Sequence, residues 1–216
     1  HTRYGTVTGV QTCALPIYHP IPAERQKELK QKFSETSAAA TERIKTSPEN
    51  VDLFLTRGDA EFFLGRFDDA VKDYRTMIEL KPSLKDSHWQ LGIALFYAGQ
   101  YQQAAAQFES YHSFDNVDRE NGIWRFLSQR KASGLEKARA DLLKYERDDR
   151  EPFPNLYRLF GGTIDARQVF EGINKAEVSS VERAKRLFYA HLYVGLNDWV
   201  ERSEEHTSEL QSQFRI

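Results

Sequence analysis

Val51-Asp-Leu-Phe54…Gly58…Phe62-Phe63-Leu-Gly65-Arg-Phe67-Asp-Asp-Ala70…Tyr74…Met77…Leu80-Lys-Pro82 reads as one unit, and Lys85…Trp89-Gln-Leu91-Gly92…Phe96-Tyr97-Ala-Gly99-Gln-Tyr101-Gln-Gln-Ala104…Phe108…Tyr111 as the next. Laid over each other, the two agree at a fixed offset of 34 residues: Gly58 with Gly92, Gly65 with Gly99, Phe67 with Tyr101, Ala70 with Ala104, Tyr74 with Phe108. Pro48 and Pro82 are also 34 apart, each closing a unit. The apolar residues recur at helical spacing, and no segment alternates like a strand. A period of this length belongs to a helix–turn–helix unit that buries its apolar face only by stacking on its neighbours.

Each repeated position has a physical reason. Gly58 and Gly92 let the two helices of a hairpin approach closely, and Gly65 and Gly99 sit where the first helix ends and can take the left-handed conformation. Ala70 and Ala104 are small residues at the crossing, with Tyr74 and Phe108 filling the space beside them. Asp68 and Asp69 lie in the first turn of the second helix, where the helix dipole favours negative charge. Pro82 cannot continue a helix interior.

Outward from this core the pattern stays helical. Residues 18–47 form an N-terminal helical segment, with Leu29, Phe33, Ala40 and Ile44 apolar and a stop at Ser47-Pro48. Residues 48–146 hold two regular repeats and a degenerate third one, Gly122 to Lys144, turning at Ser133-Gly134. Residues 147–201 form a C-terminal helical region. In it Pro154 to Phe160 makes a short helix stopped by Gly161-Gly162, Ile164 to Ile173 a second, and Val181 to Glu201 the first helix of a further, truncated repeat with Val194-Gly195 in the place of Leu91-Gly92. Such a helix is apolar on two faces, so a patch around Leu192, Leu196 and Trp199 is expected at the surface and favours self-association. The charged run Glu146 to Glu151 reads as a solvated linker, and the basic clusters Arg25–Lys32 and Arg183–Arg186, interleaved with glutamates, as solvated helix faces.

The two ends read differently. AGATCGGAAGAGCACA encodes Arg202 to His206 and the first base of Thr207, and its reverse complement TGTGCTCTTCCGATCT encodes Cys13 to Ile17 and the first base of a tyrosine codon. Two protein termini have no reason to be opposite strands of one DNA, so residues 1–17 and 202–216 look like translated sequencing adapter and are set aside as non-native. They carry three basic and three acidic residues, and setting them aside leaves the net charge of −2 unchanged. They also carry the only cysteine, Cys13. Any signal peptide or lipid-bearing cysteine would lie upstream of Tyr18.

Composition narrows the function classes. Of 216 residues, 29% are charged, 40% hydrophobic and 12% aromatic, a balance that folds rather than stays disordered. Thirty basic against thirty-two acidic residues give no polyanion-binding bias, so no nucleic-acid partner is expected. No apolar run approaches the roughly 18–20 residues that span a bilayer, so no direct membrane insertion is expected of the observed segment. His19, His88, His112 and His191 lack partners at zinc-ligand spacing, and there is no nucleophile elbow, phosphate loop or dinucleotide glycine pattern. No metal, cofactor or catalytic centre is expected, and the chain reads as a non-enzyme.

The 34-residue units resemble the tetratricopeptide repeat, which implies an all-α fold of helical hairpins forming a right-handed α-solenoid. Over Val51 to Glu201 the chain is also similar to the family of bacterial outer-membrane lipoproteins typified by NlpI. That similarity is carried by Leu91-Gly-Ile-Ala-Leu-Phe-Tyr97-Ala-Gly99, Trp124-Arg-Phe-Leu-Ser-Gln129, Leu159-Phe-Gly161 with Thr163-Ile164, and Phe188-Tyr189…Val194-Gly195. It implies a homodimeric periplasmic adaptor, outer-membrane-associated through a lipid, that presents a peptidoglycan endopeptidase to a processing protease.

In such a solenoid the first helix of each unit lines a concave groove. The groove positions would be Asp52, Leu55, Asp59 and Phe62, then Asp86, Trp89, Ile93 and Phe96, a mix of carboxylates and large apolar surfaces suited to a peptide with apolar anchors and some basic residues. Phe62 and Phe96 can equally pack between repeats, whereas Trp89, apolar with a polar tip, suits an interface. Leu55, Asp59, Trp89 and Ile93 stand where a chaperone-tail clamp needs asparagine and basic residues, which disfavours that ligand. The leading expectation is a protein-interaction scaffold with a protein or peptide partner. The alternative is a helical-repeat regulatory fragment of a larger enzyme or signalling protein, and the full open reading frame separates the two. Because the ends have no apolar period matched to the repeats, deleting residues 1–17 is expected to move the melting temperature by no more than about 2 °C; a loss of about 10 °C would make those residues integral.

Overall fold

A Cβ on Gly58 would stand 2.7 Å from the Tyr74 ring, and one on Gly92 2.6 Å from the Phe108 ring. These contacts close the first two helical hairpins of the computed structural model, which describes residues 22–213 and side chains as far as residue 200. The chain runs as α1 (Ala23–Thr46), α2 (Val51–Phe63), α3 (Phe67–Leu80), a 3-10 turn (Pro82–Leu84), α4 (Trp89–Tyr97), α5 (Tyr101–Phe114), α6 (Arg119–Ser133), α7 (Leu135–Ala140), α8 (Phe153–Phe160), α9 (Ala166–Lys175) and α10 (Ser180–Gln213). There is no strand among the described residues, and the class is all-α, as the periodicity predicts. Successive helices from α1 to α7 pack on one another in chain order, with α4 also touching α6, and α6 touching α8.

The turns follow from backbone chemistry. Gly65 (φ +78°) and Gly99 (φ +74°) adopt the left-handed conformation. Behind them Arg66 N–H donates to Glu61 C=O and Gln100 N–H to Leu95 C=O, each at 2.9 Å, the six-to-one bond that closes a helix C-terminus. In the core, Ala70, Tyr74, Ala94, Ala104 and Phe108 are all essentially inaccessible.

Polar contacts tie α1 to the first repeat. Ser37 Oγ donates to Glu61 in a buried site, and Phe33 stacks on Phe63 at 4.8 Å between ring centres. Arg57 on α2 makes a two-pronged bond to the buried Asp73 on α3, Nε to Oδ2 at 2.8 Å and Nη2 to Oδ1 at 2.6 Å, and reaches Thr41 of α1 with Nη1. The 34-residue offset puts Leu91 and Gln107 in the corresponding places of the next unit, so this ion pair is not part of the repeated pattern.

From the second hairpin onward the structure differs from, or adds to, the sequence reading. Helix α4 starts at Trp89 rather than near Lys85, because the 3-10 turn and the turn after it use up residues 82–87, and Gln107 Nε2 holds the Lys85 carbonyl at 2.7 Å. In the Glu146–Glu151 run Glu146, Arg147, Asp148 and Arg150 stay exposed, while Asp149 accepts from the Arg119 N–H at 2.8 Å, Arg147 donates to Asn116, and Arg150 lies 4.3 Å over the Phe153 ring, so the solvated turn makes rim contacts. Arg183 is not on a solvated face. It donates to the carbonyls of Ile173, Asn174 and Ala176, closing the C-terminus of α9. Helix α10 is the helix read from the sequence as the first of a further repeat. It packs on α8 and α9 and folds back so that Leu192 and Leu196 face residues of α2 and α4. A Cβ on Gly195 would meet nothing within 4 Å, so this glycine has no part in a close helix crossing.

Along α10, Ala190, Tyr193, Val194, Asn197 and Val200 are buried at helical spacing, while Phe188, Leu192 and Trp199 are exposed and Leu196 is half-buried. With neither proline nor glycine after Gly195, the helix continues past Glu201 through the residues read as adapter-derived. Residues 1–17, with Cys13, lie outside the described residues. The two helical glycines should respond in opposite directions. Gly92→Leu forces a side chain into the Phe108 ring and should cost about 3 kcal/mol or more, whereas Gly195→Ala should stabilise by about 0.5–1 kcal/mol, both read from urea unfolding midpoints.

Candidate peptide-binding groove

The first helices of the hairpins, α2, α4 and α6, place a row of aromatic side chains side by side. Phe62 meets Tyr97 at 5.9 Å, and Tyr97 meets Trp124 at 6.2 Å between ring centres. Against this row opens a cleft of about 420 Å³, lined by Asp59, Phe62 and Phe63 from α2, Tyr74 from α3, Trp89, Gln90, Ile93 and Tyr97 from α4, Trp124 from α6, and Leu192 and Leu196 from α10. Its walls are almost wholly apolar. Trp89, Ile93 and Trp124 also form one side of a second cleft of about 250 Å³, completed by Tyr111, Asp118, Glu120, Asn121 and Arg150. Trp89 is therefore the ridge between an apolar and a polar compartment, and it is 44% exposed.

The apolar cleft holds a single carboxylate. Asp59 Oδ1 accepts from the Tyr74 hydroxyl at 2.6 Å, and burial pushes its pKa up while that bond pulls it down. Tyr74 is pushed up in turn, first by burial and then by the Asp59 carboxylate, so its phenol keeps its proton and donates. The next repeat carries Ile93 where this one has Asp59, and Phe108 where it has Tyr74. The hydroxyl is present in the unit that has the carboxylate and absent from the unit that lacks it.

In the polar compartment Glu120 is the meeting point. Tyr193 of α10 donates its hydroxyl to Oε1, and Arg150 donates to Oε2. Burial raises the Glu120 pKa against the opposing effect of these two partners. Asp118 caps α6 by accepting from the Glu120 N–H at 3.0 Å and also pairs with Arg150 at 3.5 Å. Helix α10 is thus held to α6 by Tyr193 at Glu120 and by Lys131 lying 5.0 Å over the Trp199 ring.

The eight residues set in the groove by sequence do not all fall there. Asp59, Phe62, Trp89 and Ile93 line the apolar cleft together. Asp52 and Leu55 line a neighbouring cleft of about 400 Å³ with Met77, Lys81 and His88, joined to the first through Gln90. Phe96 is not a groove residue. It is 3% exposed and packs edge-on against Tyr97, Tyr101 and Trp124, because it falls on the α4 face turned toward α6. Asp86 is not one either. It sits in the turn before α4 and accepts from Ser110 Oγ on α5. The sequence reading gave no groove role to Trp124, Leu192 or Leu196. The sequence reading set Leu192 and Leu196 in a surface patch and Trp124 in a degenerate hairpin; long-range packing brings all three to the cleft.

His88 is likewise a product of packing. It is buried edge-on against the Tyr74 ring at 4.8 Å, with Nε2 unpartnered. Among the described residues no group of three or more histidine, cysteine or carboxylate side chains gathers at metal-binding distance, and no helix is long and apolar enough to cross a membrane. Residues 58–99, from the close-packed Gly58 through α3 and α4 to the turn glycine, match the family model for the TPR repeat.

Burial lowers the His88 pKa from 6.5 to about 4, so the unfolded chain binds that proton more tightly than the folded one. Stability is fully present above about pH 6.5 and falls as pH drops toward 4, by on the order of 3 kcal/mol from this group. The raised carboxyl groups Asp59 and Glu120 act in the opposite sense. Comparing unfolding free energies of the wild type and His88→Phe from pH 7 to pH 4 isolates the imidazole, and the variant should lose most of the acid-dependent slope.

Proposed function

We propose that this chain is a non-enzymatic adaptor that captures a peptide segment of a partner protein on the concave face of its repeats. The observation that carries the reading is Trp89, a half-exposed tryptophan standing as the shared wall of two adjoining clefts. A large aromatic group flanked by apolar surface on one side and by hydrogen-bonding groups on the other is the usual anchor of a protein interface. Tetratricopeptide repeats generally mediate protein–protein interaction, and the match over residues 58–99 supports the same role here. Of the titratable groups in the apolar cleft, Asp59 and Tyr74 hold each other and Tyr97 packs between the Phe62 and Trp124 rings.

Within that role, the similarity to the NlpI-like lipoproteins favours an envelope adaptor, homodimeric and periplasmic or outer-membrane-associated. A complete reading frame carrying a signal sequence with a cysteine just after it would support this placing, and an appended catalytic domain would favour the regulatory-fragment reading. That second reading has one observation in its favour: Leu192 and Leu196, from the chain's own α10, already form part of the cleft wall.

Trp89→Ala should weaken binding of a groove peptide by about 1–3 kcal/mol in a fluorescence anisotropy titration, while destabilising the fold less than Gly92→Leu does. If Trp89→Ala unfolds the domain as readily as Gly92→Leu, Trp89 belongs to the core and the groove loses its anchor.

A further inference from the structure

We infer that the groove selects a segment in which a lysine or arginine stands beside a bulky apolar residue, the apolar side chain resting against Trp89 and the cation reaching Asp59. The inference rests on the groove being a peptide site and adds what that peptide must carry.

Charge complementarity carries the argument. Asp59 Oδ1 is occupied by the Tyr74 hydroxyl, and Oδ2 has no hydrogen-bond partner among the described residues. No lysine or arginine lines this cleft; besides Asp59 its only other polar side chains are Gln90 and the tyrosines Tyr74 and Tyr97, none of them a cation. Across the Trp89 ridge, Asp118 and Glu120 outnumber Arg150, so the second compartment is negative as well. A wholly apolar occupant would strip water from Asp59 and leave it unpaired, which costs more than its own burial at that spot returns. An acidic occupant would meet repulsion in both compartments. A cation carried next to the apolar anchor would pair with Asp59 where the apolar walls strengthen the attraction. The repeat pattern points the same way. Tyr74 and Asp59 replace the apolar pair Phe108 and Ile93 of the next unit, so the carboxylate is held in a fixed orientation at one place along the groove.

The test is a positional-scanning library of short synthetic peptides titrated against the full chain by fluorescence anisotropy, followed by the best binder and its lysine-to-glutamine and lysine-to-glutamate forms. Enrichment of lysine or arginine next to an aromatic or leucine is expected. Replacing that lysine by glutamine should weaken binding roughly tenfold, and glutamate more. Asp59→Asn keeps an acceptor for the Tyr74 hydroxyl and should bind the lysine and glutamine forms alike. The peptide-side comparison needs no protein variant and decides the matter even if Asp59→Asn does not fold. Trp89-dependent binding with equal affinity for the lysine and glutamine forms overturns this inference and leaves the groove reading standing. Peptide binding untouched by Trp89→Ala overturns both. Trp89-dependent self-association in sedimentation that no peptide displaces overturns it too, because the occupant is then a second copy.

Discussion

The fold depends on how close α3 can come to α2, and α5 to α4. With glycine at 58 and 92, a six-membered ring from the second helix reaches the space a Cβ on the first would occupy, and no larger side chain leaves room for it. That contact also sets the chemistry of the groove. Residue 59 follows Gly58 on the same helix, so the ring that packs on the glycine delivers its para position to the side chain of residue 59. In the first unit this is a hydroxyl meeting a carboxylate; in the second Phe108 has no hydroxyl and Ile93 stands in the corresponding place. One steric constraint produces both the hairpin and the polar point in an otherwise apolar cleft.

Around the two regular units, specific polar contacts take over where the repeat pattern ends. Asp73 is nearly out of water in its pair with Arg57, and removing the arginine would strand that buried charge at a cost of about 3 kcal/mol. The pair joins α2 to α3 and, through Thr41, to α1. At the other end Glu120 gathers Tyr193 from α10 and Arg150 from the 141–152 connection, while Asp118 and Asp149 hold the N-terminus of α6. A carboxylate this buried is tolerable because both its oxygens are occupied. These contacts place the irregular C-terminal half against the regular one.

That placement makes the groove a cleft rather than an open face. Leu192 and Leu196 stand opposite Phe62 and Ile93, and Tyr193 between them anchors the helix to α6. The same helix buries one stripe of residues against the rest of the domain and leaves Phe188, Leu192 and Trp199 exposed. A ligand on the concave face would therefore meet the repeats on one side and α10 on the other, with Trp89 at the mouth.

The sequence by itself determined the class, the hairpins and their turns, because these follow from local rules. Gly65 and Gly99 end helices through backbone geometry, Pro82 stops one through its missing N–H, and Gly58 with Tyr74 repeats 34 residues on as Gly92 with Phe108. It also placed Asp59, Phe62, Trp89 and Ile93 in the groove, since one face of a first helix is enough to put them there. Asp86 falls outside the groove, and Phe96 takes the second of the two places the sequence left open to it, for physical reasons that lie outside the period. Phe96 is drawn into the aromatic layer between α4 and α6, and a turn before Trp89 shortens α4 so that Asp86 is no longer on the helix. The rim contacts of Asp149 and Arg150, the burial of His88 and the path of α10 beside the groove were decided only in the tertiary structure. Each rests on partners far apart in the chain, such as Tyr193 with Glu120, whose pairing leaves no periodic trace in the sequence.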